Sequence, residues 1–349
     1  MSIYTRYPKL LSRRAAGDRV VNTGVNLSQG SNPMPGSSPM PGCNPFVRRK
    51  IARHEANTRG RDFIVGDLHG CVGYLDTLMR HVGFDASMDR LFSVGDLVDR
   101  GPDSPGALEL LDQPWFYPVM GNHDAMLLSV LMRHEGLLPE LSDVDQARAE
   151  IYARAFSGNG GRWFNHFLRD EARSGVVAGW RSLLREMPLI RVIGSGPGRF
   201  HVAHAELIGH DAHGREHPDW CDLTLDQADV EDNPLWDDPR DIWGFDMVGD
   251  GVDHVLWGRE LRARVAEEDV PDMRDLSRTY VGHTITVMRD SSQLLTAGSH
   301  VFLDTGAYRA AISEDRNMGL TLWCHQEDRG WKYNGEKVVD VRVAEAGSD

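Results

Sequence analysis

Long apolar runs are missing from this 349-residue chain. None approaches the ~18 residues that a membrane-spanning helix needs. The first residues, Met1-Ser2-Ile3-Tyr4-Thr5-Arg6, lack the apolar centre of a secretory leader, and Arg13-Arg14 is followed by none either. A cytoplasmic protein with no membrane partner is the expectation. Cysteine is scarce: Cys43, Cys71, Cys221 and Cys324 stand alone, with no Cys-x-x-Cys pair. That supports neither a disulfide framework nor a thiolate zinc site, and leaves reduced, structural thiols. Positive charge is also short, with 38 Lys and Arg against 52 Asp and Glu, a net charge of −14. An acidic body argues against nucleic acid as a partner. An anionic substrate would then be held by local basic residues rather than by a global field.

The charge is unevenly spread. Residues 1–60 hold ten Lys and Arg against two Asp and Glu, a local +8 that leaves −22 for the remainder. Within them lies a near-repeat, Ser31-Asn32-Pro33-Met34-Pro35-Gly36-Ser37 followed by Ser38-Pro39-Met40-Pro41-Gly42-Cys43. Proline blocks both helix and ladder, and glycine adds backbone freedom, so residues 1–54 read as a flexible basic arm. Residues 206–256 are its opposite, with fifteen Asp and Glu against two Arg, plus Trp220, Trp236 and Trp243. They read as an acidic insertion in a domain spanning 55–349, anchored by its tryptophans. His210, His213 and His217 lie in it at irregular spacing and read as exposed. The opposed charges of arm and insertion make a contact between them in cis an expectation.

The chemistry is concentrated between Gly66 and Asp124. Phe63-Ile64-Val65 runs into Gly66-Asp67-Leu68-His69-Gly70. Leu91-Phe92-Ser93-Val94 runs into Gly95-Asp96-Leu97-Val98-Asp99-Arg100-Gly101. Tyr117-Pro118-Val119-Met120 runs into Gly121-Asn122-His123-Asp124. Asp67 and Asp96 are 29 positions apart, Asp96 and Asn122 are 26. Each interval fits one strand-helix-strand unit, and Leu75, Leu78, Met79 and Val82 keep helical spacing between the first two boxes. Parallel strands joined in this way end on one edge of the sheet, where ligands bind. Carboxylate, imidazole and amide oxygen suit divalent metals of intermediate hardness such as Mn, Fe and Zn. An uncompensated cluster of buried acids and imidazoles would be too costly without a cation.

Further along, residues 125–187 read mainly helical. Trp163, Phe164 and Phe167 keep helical spacing and read as core. Leu189 to Ile193 and Arg199 to Ala203 read as two strands, the second running into His204. Arg278 to Val281 runs into Gly282-His283-Thr284, a fifth box. The remainder, from Val287-Met288 to Val338–Val343, reads as a strand meander. A parallel half followed by an antiparallel half predicts an α/β chain of two packed mixed sheets with helices outside.

Taken in order, Gly-Asp-x-His-Gly, Gly-Asp-x-Val-Asp-Arg-Gly, Gly-Asn-His-Asp, a strand ending in His-Ala, and Gly-His-Thr resemble the phosphoprotein phosphatases of the calcineurin-like metallophosphoesterase superfamily. The likeness is greatest to the small bacterial and phage lambda type. Asn159-Gly160-Gly161-Arg162-Trp163-Phe164, Trp257-Gly258-Arg259-Glu260 and Asp304-Thr305-Gly306-Ala307 belong to the same pattern, which covers roughly residues 60–325. The arm and the long stretch between His204 and Trp257 depart from it. The resemblance implies two divalent metal ions, Mn²⁺ in this branch with Fe and Zn left open. Asp67, His69 and Asp96 would hold the first, and Asp96, Asn122, His204 and His283 the second. It implies a metal-bridging hydroxide that attacks phosphorus in line, His123 as general acid paired with Asp99, and Arg100, Arg259 and Asn122 on the phosphate. The implied activity is a serine/threonine protein phosphatase acting on phosphorylated proteins. The alternatives are a dinucleoside polyphosphate hydrolase, a branch that typically lacks the acid at Asp99, and a silent scaffold that binds phosphoprotein.

Overall fold

The apolar runs that lead into the boxes are buried on both faces, which is why they read as unbroken rather than alternating. In the computed structural model, residues 46–343 are described apart from 170–173, 209–219, 229–235, 237–239, 242–247, 250, 288–289 and 314. In order come β1 (Ile51–His54), β2 (Asp62–Val65), α1 (Val72–His81), β3 (Arg90–Ser93), α2 (Ser104–Glu109), β4 (Phe116–Pro118), α3 (Asn122–His134), α4 (Asp143–Ala155) and α5 (Ser174–Arg185). There follow β5 (Ile190–Ile193), β6 (Phe200–Ala203), α6 (Asp222–Gln227), β7 (Arg240–Asp241), β8 (Val248–Gly249), α7 (Gly251–Trp257), α8 (Glu260–Ala266) and β9 (Arg278–Val281). The last are β10 (Gln293–Leu294), β11 (Thr296–Ala297), β12 (His300–Phe302), α9 (Ala307–Ser313), β13 (Leu320–Cys324), β14 (Arg329–Tyr333) and β15 (Val338–Val343).

Two mixed sheets result, ordered β10-β15-β14-β13-β2-β3-β4 and β1-β5-β6-β9-β12-β11, with β7 and β8 paired apart. Strands β2, β3 and β4 are parallel, as are β6, β9 and β12. The meander β13-β14-β15 attaches antiparallel to β2. Side chains sort by the period of two. Ile64, Phe92 and Trp323 of the first sheet meet Phe200, Val202 and Tyr280 of the second. Phe63, Leu91 and Leu322 instead join Leu75 and Leu78 of α1 and Leu127 and Leu131 of α3. Two sheets flanked by helices are therefore as expected, and the C-terminal ends of β2, β3, β4, β6 and β9 all deliver boxes.

The fold departs from the sequence reading in three places. Residues 1–45 lie outside the described residues, but 46–54 are no arm. Phe46 and Val47 are buried, and β1 lies parallel to β5 at the edge of the second sheet. The flanking arginines obscure a strand that offers only Ile51 and Ala52 to the core. Second, the acidic segment contributes α6 and α7, and Val252, Val255 and Leu256 are buried at helical spacing among the acids. Third, α9 interrupts the run read as strands, burying Ala307 and Ala310; Val287 is in no strand. His210, His213, His217, Trp243 and Met288 lie outside the described residues. Trp220 and Trp236 are buried against one another, with ring centroids 5.6 Å apart. Arg53 donates to Asp226 Oδ1 at 3.2 Å and to the Leu225 carbonyl at 2.7 Å. Lys50 Nζ sits 4.9 Å from the Trp236 ring centroid.

The second sheet also buries two histidines outside the boxes. His300 Nε2 accepts from the Leu207 amide at 3.0 Å, and His201 Nε2 from Arg199 Nε at 3.0 Å. Burial lowers His300 to about 3 and His201 to about 4. The unfolded chain takes up a proton at each near its ordinary value, which the fold refuses. Their stabilisation is therefore full above pH ~6.5 and is lost as pH falls toward 4, by at most ~1.4 kcal/mol per unit for each group. The melting temperature should fall through that window. His300→Gln, which keeps an acceptor but cannot titrate, should show a shallower slope; an unchanged slope would contradict the assignment.

Candidate metal centre

The boxes are knitted together by their backbones before any side chain is considered. His69 N donates to Asp96 O and Gly70 N to Leu97 O, both at 2.8 Å, and Gly282 N donates to His204 O at 2.8 Å. Asp124 ties the second box to the third, its carboxylate accepting from Leu97 N and Gly121 N at 3.0 Å each. The turns off the strands are tight. His69, Asp96, Asp99, Arg100 and His283 all take left-handed φ, between 41° and 72°. Such backbone is costly for these residues and is held by the structure around it. Gly282 has its own reason, since a Cβ there would lie 1.9 Å from Asp67 Oδ1.

Two sets of ligand atoms converge, His69, Asp96 and His123 in one and Asp96, His204 and His283 in the other, each within 4.8 Å. All five residues are buried. Asp96 lies between the sets: Oδ2 is 3.5 Å from His69 Nε2 and Oδ1 is 3.4 Å from His204 Nε2. Carbonyl acceptors fix two of the tautomers. His69 Nδ1 donates to Val98 O at 2.8 Å and His204 Nδ1 to Val94 O at 2.7 Å, so both Nε2 atoms present lone pairs inward. Burial lowers His69 to about 3 and lowers His204 and His283 too, leaving neutral imidazoles, the ligating form.

The donor set fits a cation. Asn122 Oδ1 is 2.8 Å from His204 Nε2, 3.1 Å from His283 Nδ1, and 3.2 and 3.3 Å from the two Asp96 oxygens. On these contacts alone the reversed amide would donate to all four atoms, whereas a divalent cation among them would favour the oxygen inward. Two further acids stand close by. Asp67 is pushed well above the usual carboxylate range by burial and by Asp304 and Asp96. Burial pushes Asp304 up to about 6. Buried carboxylates in mutual repulsion are what a bound cation relieves.

Placement differs from the sequence reading at two residues. Asp67 is in neither convergent set; both its oxygens accept from the His283 amide at 3.1 Å. His123 joins the first set, yet its Nδ1 is bonded to Asp99 Oδ2 at 2.7 Å. Its Nε2 is buried and without a partner. The sequence reading has Asp99 keep this imidazole charged. Burial raises Asp99 to about 7 and lowers His123 to about 4, and so works against a charged imidazole.

The arginines sit at the mouth. Arg100 Nη1 donates to His69 Nε2 at 3.1 Å, and its guanidinium lies 5.1 Å from the Tyr308 ring centroid. Arg259 is exposed at the N-terminus of α8. That end is pinned by the buried Glu206, whose carboxylate accepts from Glu260 N and Leu261 N at 2.8 Å each. Glu260 accepts from Arg264 Nε at 3.3 Å. Tyr308 and Glu206 were not singled out from the sequence, and Asp304 only within the Asp304-Thr305-Gly306-Ala307 pattern, with no role at the site. For Asp304 the signal was present: Val301-Phe302-Leu303 runs into Asp304-Thr305-Gly306 as the other strands run into their boxes.

Comparison with known proteins agrees with this geometry. Over 154 residues the chain is 34% identical to serine/threonine-protein phosphatase 1 of Salmonella typhimurium (strain LT2), across 44% of this chain and 62% of that one. It is 24% identical over 249 residues to serine/threonine-protein phosphatase 2 of the same organism, across 70% and 87% of the two chains. A shorter match, 47% over 75 residues, covers 21% of this chain and 25% of the symmetrical bis(5'-nucleosyl)-tetraphosphatase of Pseudomonas syringae pv. tomato. The chain thus spans under two thirds of the length of the first of these relatives. A family model described as calcineurin-like phosphoesterase matches residues 63–281, which carry every member of the two convergent sets except His283. The chain belongs to the calcineurin-like phosphoesterase family.

Proposed function

We propose that this protein hydrolyses phosphate monoesters of serine and threonine in proteins, with two divalent cations, Mn²⁺ by preference. The observation that carries the reading is the buried Asp99–His123 pair, bonded at 2.7 Å beside the convergent ligands. In the resembling phosphatases the acid of the Asp-Arg-Gly box marks the protein phosphatase branch. Asp96, His204, His283 and Asn122 would hold one cation, and His69 with Asp96 the other, Asp67 acting from beside them. When bound, the cations supply charge against the phosphoryl oxygens and acidify water.

The chain's own groups do the rest. Arg100 and Arg259 grip phosphoryl oxygens, which a planar fork holds two at a time. His123 gives the proton of Nε2 to the departing seryl oxygen while the proton between Nδ1 and Asp99 Oδ2 stays within the pair, so the leaving group departs as a neutral alcohol. A second reading, hydrolysis of dinucleoside polyphosphates, is favoured by the match to the tetraphosphatase. Metal-stripped protein reloaded with Mn²⁺ and assayed on a phosphoserine peptide and on a dinucleoside tetraphosphate separates the two. Metal-dependent turnover of the peptide is the expected result. Preference for the dinucleotide would overturn the substrate class and keep the site. Inactivity on both with metal bound would favour a binding scaffold.

A further inference from the structure

The segment Asn159 to Trp163 holds neither a candidate metal ligand nor a phosphate-gripping arginine, yet it lies directly on the corner formed by Asp99 and Arg100. Beyond α4 a turn over Phe156–Asn159 leads into Gly160, whose φ is 108°. A Cβ at Gly160 would lie 3.0 Å from the Arg100 amide nitrogen and 3.4 Å from Asp99 Cβ. Only glycine lets the chain come this close with that backbone. The next turn, Gly161–His166, then delivers Trp163. Its indole Nε1 donates to Asp99 Oδ1 at 2.6 Å.

Trp163 is half-buried, and its ring is wedged among Phe164, Phe167 and Trp180 at centroid distances of 5.5, 5.8 and 6.4 Å. The donor is therefore fixed from behind. Asp99 is held at three points. Its amide donates to Ser104 Oγ at 2.9 Å, Oδ1 accepts from Trp163, and Oδ2 meets His123 Nδ1. A carboxylate bonded through one oxygen turns freely about its last torsion, whereas separate partners on its two oxygens lock the plane.

We propose that Trp163 is a positioning residue for proton delivery: its indole N–H locks the Asp99 carboxylate so that the imidazole of His123 is aimed at the leaving oxygen. The inference rests on the phosphomonoesterase reading above. It gives the paired glycines a purpose, since they bring this one donor to Asp99. It also separates Trp163 from its aromatic neighbours, whose role is apolar packing.

The test is the dependence on the leaving group. Trp163→Phe keeps a ring in the wedge and removes the N–H. A seryl alkoxide needs a proton to depart, while p-nitrophenolate is stable as an anion. Turnover of a phosphoserine peptide should fall about 10- to 100-fold, a part of what a whole general acid contributes. Turnover of p-nitrophenyl phosphate should fall by no more than about threefold, with KM and metal content near wild type, because only proton delivery is disturbed. In an Asp99→Asn background the same change should add little, because both act through one contact. Trp163→Leu, which carries no donor, serves if the Phe variant folds poorly and should show the same split. Equal losses on both substrates, or full additivity with Asp99→Asn, would overturn the inference and leave Trp163 as packing. A wild-type enzyme idle on the peptide would instead overturn the functional reading, and the inference with it.

Discussion

His123→Asn is expected to cut turnover of a phosphoserine peptide by about a thousandfold, the middle of the range for losing a general acid. Metal content and KM should stay near wild type. The geometry makes this a sharp test, because His123 has two readings on distance alone. Its ring belongs to the set with His69 and Asp96, so it could ligate a cation. Its Nδ1, however, is committed to Asp99, and its Nε2 lies 4.0 Å from Asp96 Oδ2, farther than the 3.5 Å of His69. A general acid and a ligand fail differently. Loss of the acid spares p-nitrophenyl phosphate and leaves two metals per chain. Loss of a ligand removes a metal and lowers turnover on both substrates. Metal analysis of the purified variant, beside the two assays, decides the matter; a missing metal equivalent would end the proton-donor assignment.

What the sequence made legible were the strand ends. A buried parallel strand must be apolar on both faces, and a glycine followed by an acid at its end is a local signal that survives without any knowledge of the fold. Asp67 and Asp96 were singled out in that way, Asn122 and His283 as polar residues after a strand-end glycine, and His204 directly after a strand. Which atoms then face one another is not local. Spacing could not tell that Asp67 turns to the His283 amide while His123 approaches His69. The opposed shifts of Asp99 and His123 were out of reach for the same reason, since burial is their largest cause and is set by residues far along the chain. Trp163 read as core, as its packing bears out, but helical spacing of aromatics says nothing of where an indole N–H points. The paired glycines before it were the better clue: residues that give up a side chain do so where another part of the chain must come close. In the acidic segment, charge composition hid the buried face of α7, whose apolar part is only Val252, Val255 and Leu256.

The second large effect is expected at Asp96, and it depends on the metal. Asp96→Asn keeps the acceptor that binds His123 N at 2.9 Å. It removes the negative charge shared by the two convergent sets and turns an NH₂ toward imidazole nitrogens. Metal affinity should fall well beyond the 10- to 100-fold that loss of an outer-shell partner costs, and activity should fall with it. The metal-free protein should be affected far less. Asp67, Asp124 and Asp304 are raised by burial and, after it, by repulsion from Asp96, while His204, His123, His69 and Arg100 hold the Asp96 carboxyl itself below the usual range. Removing the charge takes away a repulsion and an attraction together, so the melting temperature of stripped Asp96→Asn should stay close to that of the stripped parent. Adding Mn²⁺ should raise the melting temperature of the parent and leave the variant where it was, because a ligand stabilises only the state that binds it. A variant that melts lower than its parent in both conditions would mean that Asp96 supports the fold directly. The convergence of five buried side chains would then have a structural explanation that needs no cation.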